Sequence, residues 1–210
     1  WKGALHCFPN VCTHAWHTLV QGPDRQRGLT CPQHGRQFDC AGRYLSHPGF
    51  PKAMPGFPGP TDHLADLPVA EWSDLLFLCL GKPSVPFAQA LAPVFKSLAR
   101  MPLDRLRRRP MAGEVREVDG NWKQHAWNYL DRFHIPYVHR VPGGLADVMD
   151  YADYRTEVHP HAVLQWAWAK DPAHGLDPAF LPAAFAARGR RVFALWWFVY
   201  PNLTLNFYPW

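Results

Sequence analysis

Hydrophobic and polar positions change period several times along the chain. Residues 1–46 read as short strands broken by tight turns, with Gly22-Pro23, Gly28 and Ala41-Gly42 as punctuation. Residues 47–60, HPGFPKAMPGFPGP, hold five Pro and three Gly and read as an irregular loop. The tetrapeptide PGFP occurs twice there, which reflects loop composition rather than a repeat architecture. Residues 72–80 form an apolar run ended by Gly81 and Pro83, the profile of a buried strand. In residues 86–100, Phe87, Leu91, Val94, Phe95 and Leu98 fall on one face of a helix, which Pro93 should kink or divide. The basic stretch after Pro102 reads as a connector. A domain boundary is therefore expected between Gly81 and Arg109, giving a first domain over 1–82, a connector over 83–110 and a second domain over 111–210.

In the second half, residues 111–118 suit a strand, and Asp119-Gly120-Asn121 offers a turn and a helix cap. Over 122–134, Trp122, Ala126, Tyr129, Leu130 and Phe133 recur at helical spacing. Pro136 is expected to end that helix by displacing Ile135 from the helical region. Residues 154–169 alternate as strands. Asp177-Pro178 opens a short helix and Gly189 closes it. Residues 192–208 return to strand, with Leu203, Leu205 and Phe207 on one face and Thr204, Asn206 and Tyr208 on the other. The chain starts at Trp1 and stops at Trp210 straight after a strand, so truncation at both ends is expected.

Composition narrows the class. Hydrophobic content of 48% with 19% charged residues predicts a packed core rather than disorder. Ten Trp suggest deep apolar pockets, and 22 Pro suggest many loops and short strands. No segment reaches the roughly 18 uninterrupted apolar residues of a membrane helix; residues 195–200 are apolar but too short. The net charge of +5 is densest at Arg105, Arg107, Arg108 and Arg109. Without the aromatic or glycine pattern of a nucleic-acid module beside it, this run reads as a solvated connector. Five Cys with no secretory signal argue for ligands and buried thiols in a reducing, cytoplasmic setting rather than a disulfide frame.

Two constellations carry chemistry. The first is Cys12-Thr13-His14, then sixteen residues, then Cys31-Pro32-Gln33-His34-Gly35. Each loop offers one thiolate and one imidazole, a donor set suited to iron with sulfide. With Cys12 and Cys31 on one iron and His14 and His34 on the other, neutral imidazoles lower the negative charge at one metal and raise the potential above that of an all-Cys cluster. Pro32 and Gly35 suit loops whose backbone N–H groups point at sulfur. A structural zinc site fits less well, because its pairs are usually Cys with Cys and His with His at other spacings. Cys7, Cys40 and Cys79 read as bland, as do His6, His17 and His47, for which surface or supporting roles are expected. The second constellation is Asn128, Asp131 and His134, a polar stripe recurring every third residue, with His139 five positions beyond His134. On an unbroken helix the two His diverge; a break at Pro136 lets them converge. Two His and a carboxylate on one face of an iron leave positions open for dioxygen and substrate.

The segments NVCTHAWHTL, CPQHGRQFDCAGRYLSHPGF and NWKQHAWNYLDRFHIPYVH resemble, in order, the alpha subunit of Rieske non-haem iron ring-hydroxylating oxygenases. The resemblance runs over most of the chain. It departs at Ala15-Trp16, where Arg-Gly is more usual, and at Gln33 and Arg36, where aromatics are common. It implies an α+β fold: a small antiparallel β Rieske domain, then a catalytic domain with a curved antiparallel sheet and helices around the iron. It further implies a 2Fe–2S cluster on Cys12, His14, Cys31 and His34, and mononuclear Fe(II) on His134 and His139. Asp131 becomes the acid bridging to a cluster His of a neighbouring subunit in a homotrimer. The third ligand, a carboxylate, is expected beyond Trp210; Asp147, Asp150 and Asp153 are present, but no pattern selects them. Such an enzyme takes NAD(P)H-derived electrons from a reductase or ferredoxin and hydroxylates a small organic, expectedly aromatic, substrate with O2. A beta subunit is a further potential partner; nucleic acid and membrane are not. The strand over 203–208 offers Asn206 and Phe207 as candidate lining of a substrate cavity. Rival readings are a monooxygenase acting on an N-methyl or quaternary amine, a Rieske ferredoxin that has no use for residues 111–210, and a redox-inert, metal-stabilised binding module.

Overall fold

A computed structural model of the chain describes residues 3–23, 25–50, 54–107 and 115–209. The fold is α+β with antiparallel sheets, in two compact units, residues 1–84 and 85–210.

In the first unit, β1 (Gly28–Thr30), β2 (Gln37–Asp39) and β3 (Tyr44–Ser46) form a sheet in sequence order. Period-two alternation turns Phe38 inward, where it is completely buried. Asp39 then closes the turn into β3, its Oδ1 accepting from the N–H groups of Ala41 (2.8 Å) and Arg43 (2.9 Å). The apolar run over 72–80 is not one buried strand. It contributes to a hairpin of β4 (Val69–Trp72) and β5 (Leu75–Leu78). Ser73 and Asp74, with φ of 48° and 62°, make the two-residue turn whose twist matches the flanking strands. Only one face of so short a ribbon can be covered, and Leu76 stays 65% exposed.

The second unit opens with α1 (Phe87–Ala90) and α2 (Ala92–Leu98), divided at Leu91 with Pro93 in the first turn of α2. These helices occupy part of the segment expected as a connector, yet α2 buries Val94, Ser97 and Leu98 and meets the large sheet through Trp197 Nε1, which donates to Ser97 Oγ (3.0 Å). Arg108, Arg109 and the first half of the strand expected over 111–118 lie outside the described residues; residues 115–118 are irregular.

Asn121 caps α3 (Trp122–Leu130) by accepting from Lys123 N (3.0 Å). This helix ends at Asp131, earlier than expected, and Pro136 does not end it. Pro136 sits instead in the first turn of α4 (Ile135–Val138), where its missing N–H costs nothing and its fixed φ is already helical. After α5 (Leu145–Val148) come β6 (Arg155–His159), β7 (Ala162–Trp168), β8 (Val192–Val199) and β9 (Leu203–Phe207), an antiparallel meander in that order. The short helix expected from Asp177 to Gly189 is two 3-10 turns, at Pro178–Phe180 and Ala183–Phe185. Asp177 caps the first through Ala179 N (2.9 Å), and Pro182 lies between them.

Every residue of β8 is buried, so helices and turns cover both faces of the sheet centre. On one face Phe193, Ala194 and Trp196 pack with Ala167, Met149, Tyr154 and Ile135 of α4. The four Trp of β7 and β8 each place their indole N–H on a partner: Trp166 on Glu157, Trp168 on Asp153, Trp196 on the Tyr208 hydroxyl and Trp197 on Ser97. Large apolar area is thereby buried without orphaned donors. Among the described residues no helix is long and apolar enough to cross a membrane.

Phe193→Ala should destabilise the second unit by about 3–5 kcal/mol. Val158→Ala, at an exposed position of β6, should stay within about 0.5 kcal/mol of the parent. Denaturant midpoints at unchanged slope measure both; equal shifts would show that the sheet centre is not the core.

Candidate metal centres

The first constellation lies on two loops of the same build. One is closed by a bridge between Val11 and Thr18; the other joins β1 to β2, with Thr30 opposite Gln37. Cys12 N donates to His17 O (2.8 Å) and Trp16 N to Cys12 O (3.1 Å). In the other loop Cys31 N donates to Arg36 O (2.8 Å) and Gly35 N to Cys31 O (2.9 Å), the same offsets. The N–H groups two and three residues after each Cys are directed at its sulfur: His14 and Ala15 at Cys12, Gln33 and His34 at Cys31. The fourth residue after each Cys is left-handed, Trp16 at φ 59° and Gly35 at φ 71°. Glycine accepts this at no cost, and a Cβ on Gly35 would stand 3.1 Å from Pro48 Cγ. Trp16 bears a penalty of roughly 1–2 kcal/mol and is 79% exposed.

Both loops turn thiol inward and imidazole outward. Cys12 and Cys31 are free thiols buried with Leu19, Phe38 and Leu64, and the two share a side-chain hydrogen bond. His14 and His34 are exposed, ring centroids 4.9 Å apart, edge to face. Burial pushes both thiols up. At Cys12 it prevails; at Cys31 the Gln33 and His34 N–H groups, its Cys12 neighbour and the Arg36 guanidinium outweigh it and hold the thiol below its ordinary range. Two adjacent sulfur donors inside and two adjacent nitrogen donors outside fit a two-iron cluster with one kind of donor on each metal.

Sequence reasoning missed what braces these loops. Arg36, 2% exposed, donates from Nη1 to Thr13 Oγ1 (2.7 Å), from Nη2 to Asp62 Oδ1 (3.0 Å) and from Nε to His47 Nδ1 (3.4 Å). Thr13 Oγ1 in turn donates to Asp62 O (2.9 Å). Buried His47 stands edge-on to His14 at 4.6 Å and stacks on Phe50 at 4.3 Å. The one available signal was a basic residue two positions after His34, where the resemblance favours an aromatic; nothing in the sequence selects Asp62. Cys7, Cys40 and Cys79 are partly buried, and Cys40 Sγ lies 3.8 Å from Gln26 O.

At the second constellation α4 is one turn long and the two His bracket it, His134 as N-cap and His139 as C-cap. Their Nε2 atoms stand 3.2 Å apart. Two imidazole nitrogens each about 2.1 Å from one first-row metal stand roughly 3 Å apart at a near-right bond angle, so the pair fits two adjacent positions on one ion. Asp131 Oδ1 accepts from Phe133 N (2.9 Å), and Oδ2 faces His134 Nδ1 at 3.3 Å, on the ring edge away from His139. A proton on Nδ1 leaves Nε2 a free acceptor. The Phe133 N–H, and then the His134 imidazole, hold the Asp131 carboxyl below the ordinary range against an opposing effect of burial. The sheet anchors this corner. Ile135 is buried in the core, Gln165 Nε2 donates to Leu130 O (2.8 Å), and the Tyr129 hydroxyl donates to Asn206 Oδ1 (2.6 Å).

Among the described residues no three His, Cys, Asp or Glu converge as ligands of a single ion. The other acids near the His pair in sequence are engaged elsewhere. Asp147 Oδ2 accepts from Gly143 N (3.2 Å), Arg190 pairs with Asp150 (2.9 Å) and Asp153 (2.8 Å), and Arg155 also pairs with Asp153. Asn206, a candidate cavity residue, is held by Tyr129. A cavity of about 430 Å³ does open on the sheet, lined by Lys96, Ser97, Glu157, His159 and Trp197 among others. Alternation along β8 puts Trp197 on the face opposite Trp196 and the His pair, so this cavity does not serve them.

Paired loops with sulfur donors inside and nitrogen donors outside define a Rieske-type site, and residues 1–67 match the family profile "Rieske [2Fe-2S] domain". That part of the chain matches a Rieske [2Fe–2S] domain, and the chain as a whole is similar in sequence to Rieske-type monooxygenases and oxygenase components. It is 27% identical to the chloroplastic choline monooxygenase of Arabidopsis thaliana over 227 aligned residues, covering all of this chain and 49% of the relative. It is 25% identical to the oxygenase component of dicamba O-demethylase from Stenotrophomonas maltophilia, covering 66% of this chain and 38% of that one. The chain thus spans half or less of the length of these relatives. Among solved structures, a quaternary ammonium Rieske monooxygenase shares the fold at TM-score 0.70 and 20% identity, covering 99% of this chain and 53% of its own. Naphthalene 1,2-dioxygenase does so at TM-score 0.62 and 20% identity, covering 98% and 53%.

Two stability changes follow from this geometry. Trp16→Gly relieves the left-handed strain but loosens the unfolded chain, a net stabilisation of about 0.5–1 kcal/mol; a lower thermal midpoint would contradict it. For Asp153, Arg190 and then Arg155 hold the carboxyl below its ordinary 3.8 against opposing burial. The folded state therefore binds this proton less readily than the unfolded state. The stabilisation is complete above that ordinary value and is lost as pH falls through the lowered one. The stability gap between parent and Asp153→Asn should shrink on acidification below about pH 4; a gap independent of pH would refute the pairing.

Proposed function

We propose that this chain belongs to the oxygenase component of a Rieske non-haem iron oxygenase that hydroxylates a small organic substrate with O2. The observation that carries the reading is the second site: His134 and His139 direct Nε2 atoms at one point, 3.2 Å apart, and Asp131 engages the far edge of His134. An electron-transfer ferredoxin has no use for such a pair. Cys12, His14, Cys31 and His34 would hold the 2Fe–2S cluster, and His134 and His139 would hold mononuclear Fe(II), its third ligand being a carboxylate outside these residues. When bound, the cluster supplies one-electron transfer and the single iron supplies O2 activation.

The chain's own groups have defined work in this reading. Buried Cys12 and Cys31 keep solvent from the sulfur side, while exposed His14 and His34 offer an edge through which electrons enter and leave. Asp131 orients His134 and links it to a cluster His of a neighbouring subunit. Phe133, Val138, Val141 and Tyr137, the last 83% exposed, lie near the His pair in sequence; apolar side chains so placed suit cover by another polypeptide, which in this reading is a neighbouring subunit of a homotrimer. A reductase or ferredoxin supplies NAD(P)H-derived electrons, and the setting is cytoplasmic.

An aromatic substrate is the first reading, supported by the likeness to naphthalene dioxygenase and dicamba demethylase. Attack at an N-methyl or quaternary amine carbon is the second, supported by the names of the choline and quaternary ammonium monooxygenases.

The full-length gene product, loaded anaerobically and supplied with an electron donor, should oxidise members of one of these two substrate panels with matched O2 uptake. His134→Ala and His139→Ala should each abolish that coupling and lose the mononuclear iron while keeping the cluster's colour and its paramagnetism after dithionite. Retention of both kinds of iron with full turnover would overturn the assignment.

A further inference from the structure

We propose that Arg36 is a positioning residue that clamps the two cluster loops together and, with Asp62 as its counter-charge, sets the cluster's reduction potential. The inference rests on the reading of Cys12, His14, Cys31 and His34 as the cluster site.

Geometry makes the clamp. Arg36 lies two residues beyond His34 on the second loop, and its backbone O closes that loop on Cys31 N (2.8 Å). Its Nη1 reaches Thr13 Oγ1 at 2.7 Å, on the residue between Cys12 and His14. Its Nη2 reaches Asp62 Oδ1 at 3.0 Å, and its Nε reaches His47 Nδ1 at 3.4 Å. The guanidinium carbon stands 5.1 Å from the Tyr44 ring centroid and 5.8 Å from that of Phe57. One planar group thus engages both ligand loops together with His47, Phe57 and Asp62. A lysine cannot reproduce this, because its ammonium has no fork and no planar face for the rings. The side chain is 3% exposed and that of Asp62 22%, so solvent screens the pair little.

Charge sets the potential. Reduction adds an electron to the cluster, and a fixed positive charge beside it favours the reduced state. Removing Arg36's charge should lower the potential. Removing the Asp62 carboxylate leaves that charge uncompensated and should raise it. Residues that only hold a fold together would not produce shifts of opposite sign.

The test uses the full-length, cluster-loaded protein with three variants, Arg36→Gln, Arg36→Lys and Asp62→Asn. Measurements are iron and sulfide per chain, the electron paramagnetic resonance signal after dithionite, and the midpoint potential by voltammetry. Arg36→Gln should load less cluster and shift the reduction equilibrium at least tenfold toward the oxidised state, 59 mV for a one-electron couple. Asp62→Asn should shift it toward the reduced state. Arg36→Lys should load poorly yet keep a potential closer to the parent than Arg36→Gln. Shifts of the same sign in Arg36→Gln and Asp62→Asn, or a potential unmoved in Asp62→Asn, would overturn the proposal. A parent protein that folds with iron and sulfide supplied yet forms no cluster would instead overturn the site reading.

Discussion

Two backbone hydrogen bonds, made twice, organise the two Cys-His loops of the candidate cluster site. In each loop the Cys N–H is taken by the carbonyl five residues on, and the Cys carbonyl takes the N–H four residues on. A six-residue loop closed in this way frees the N–H groups two and three residues after the Cys. They turn inward to the Cys sulfur, and the fourth position after the Cys is driven left-handed. Gly35 meets that demand freely; Trp16 meets it under strain. The same curl buries the sulfur and leaves the imidazole outside. An asymmetric donor set, soft and charged within, neutral and exposed without, is therefore a consequence of loop closure.

The second site solves its placement problem with a helix break. An uninterrupted helix through residues 122–139 would point His134 and His139 in different directions. The chain leaves α3 at Asp131, whose carboxylate accepts from Phe133 N, and restarts at Ile135 for one turn. Convergence then depends on the sheet below. Ile135 is sunk into its core, Gln165 holds the last carbonyl of α3, and Tyr129 is tied to Asn206 on β9. Those anchors stand on a sheet whose Trp residues bury their rings with every indole N–H of β7 and β8 satisfied, which keeps the platform rigid enough to carry a precise pair.

Local chemistry was legible in the residues themselves. The two Cys-His loops, the strands over 154–169 and 192–208, the division of the helix at Pro93 and the Asn121 cap are each written in a few adjacent positions, because turn-forming residues, period-two alternation and proline sterics act over short range. Other readings failed where an apolar count passed over a local turn or where the choice depended on a distant partner. The run over 72–80 holds enough apolar residues for a buried strand, but the Ser73-Asp74 turn makes it half of a hairpin. Pro136 is as consistent with starting a helix as with stopping one, and Ile135's place in the core decides between them.

The sequence by itself determined which sulfur and nitrogen donors each Cys-His loop offers and that Pro32 and Gly35 suit a tight loop, since both follow from residue type and short-range sterics. Only the tertiary structure decided that Thr13, Arg36, His47 and Asp62, spread over fifty positions, form one polar cluster around the buried Arg36 and His47, and that the Nε2 atoms of His134 and His139 come within 3.2 Å while Asp150 and Asp153 are drawn off by Arg190. At Arg36 burial makes that difference: a buried charge must find a partner wherever the fold places one, and no pattern along the chain records how far away that partner lies.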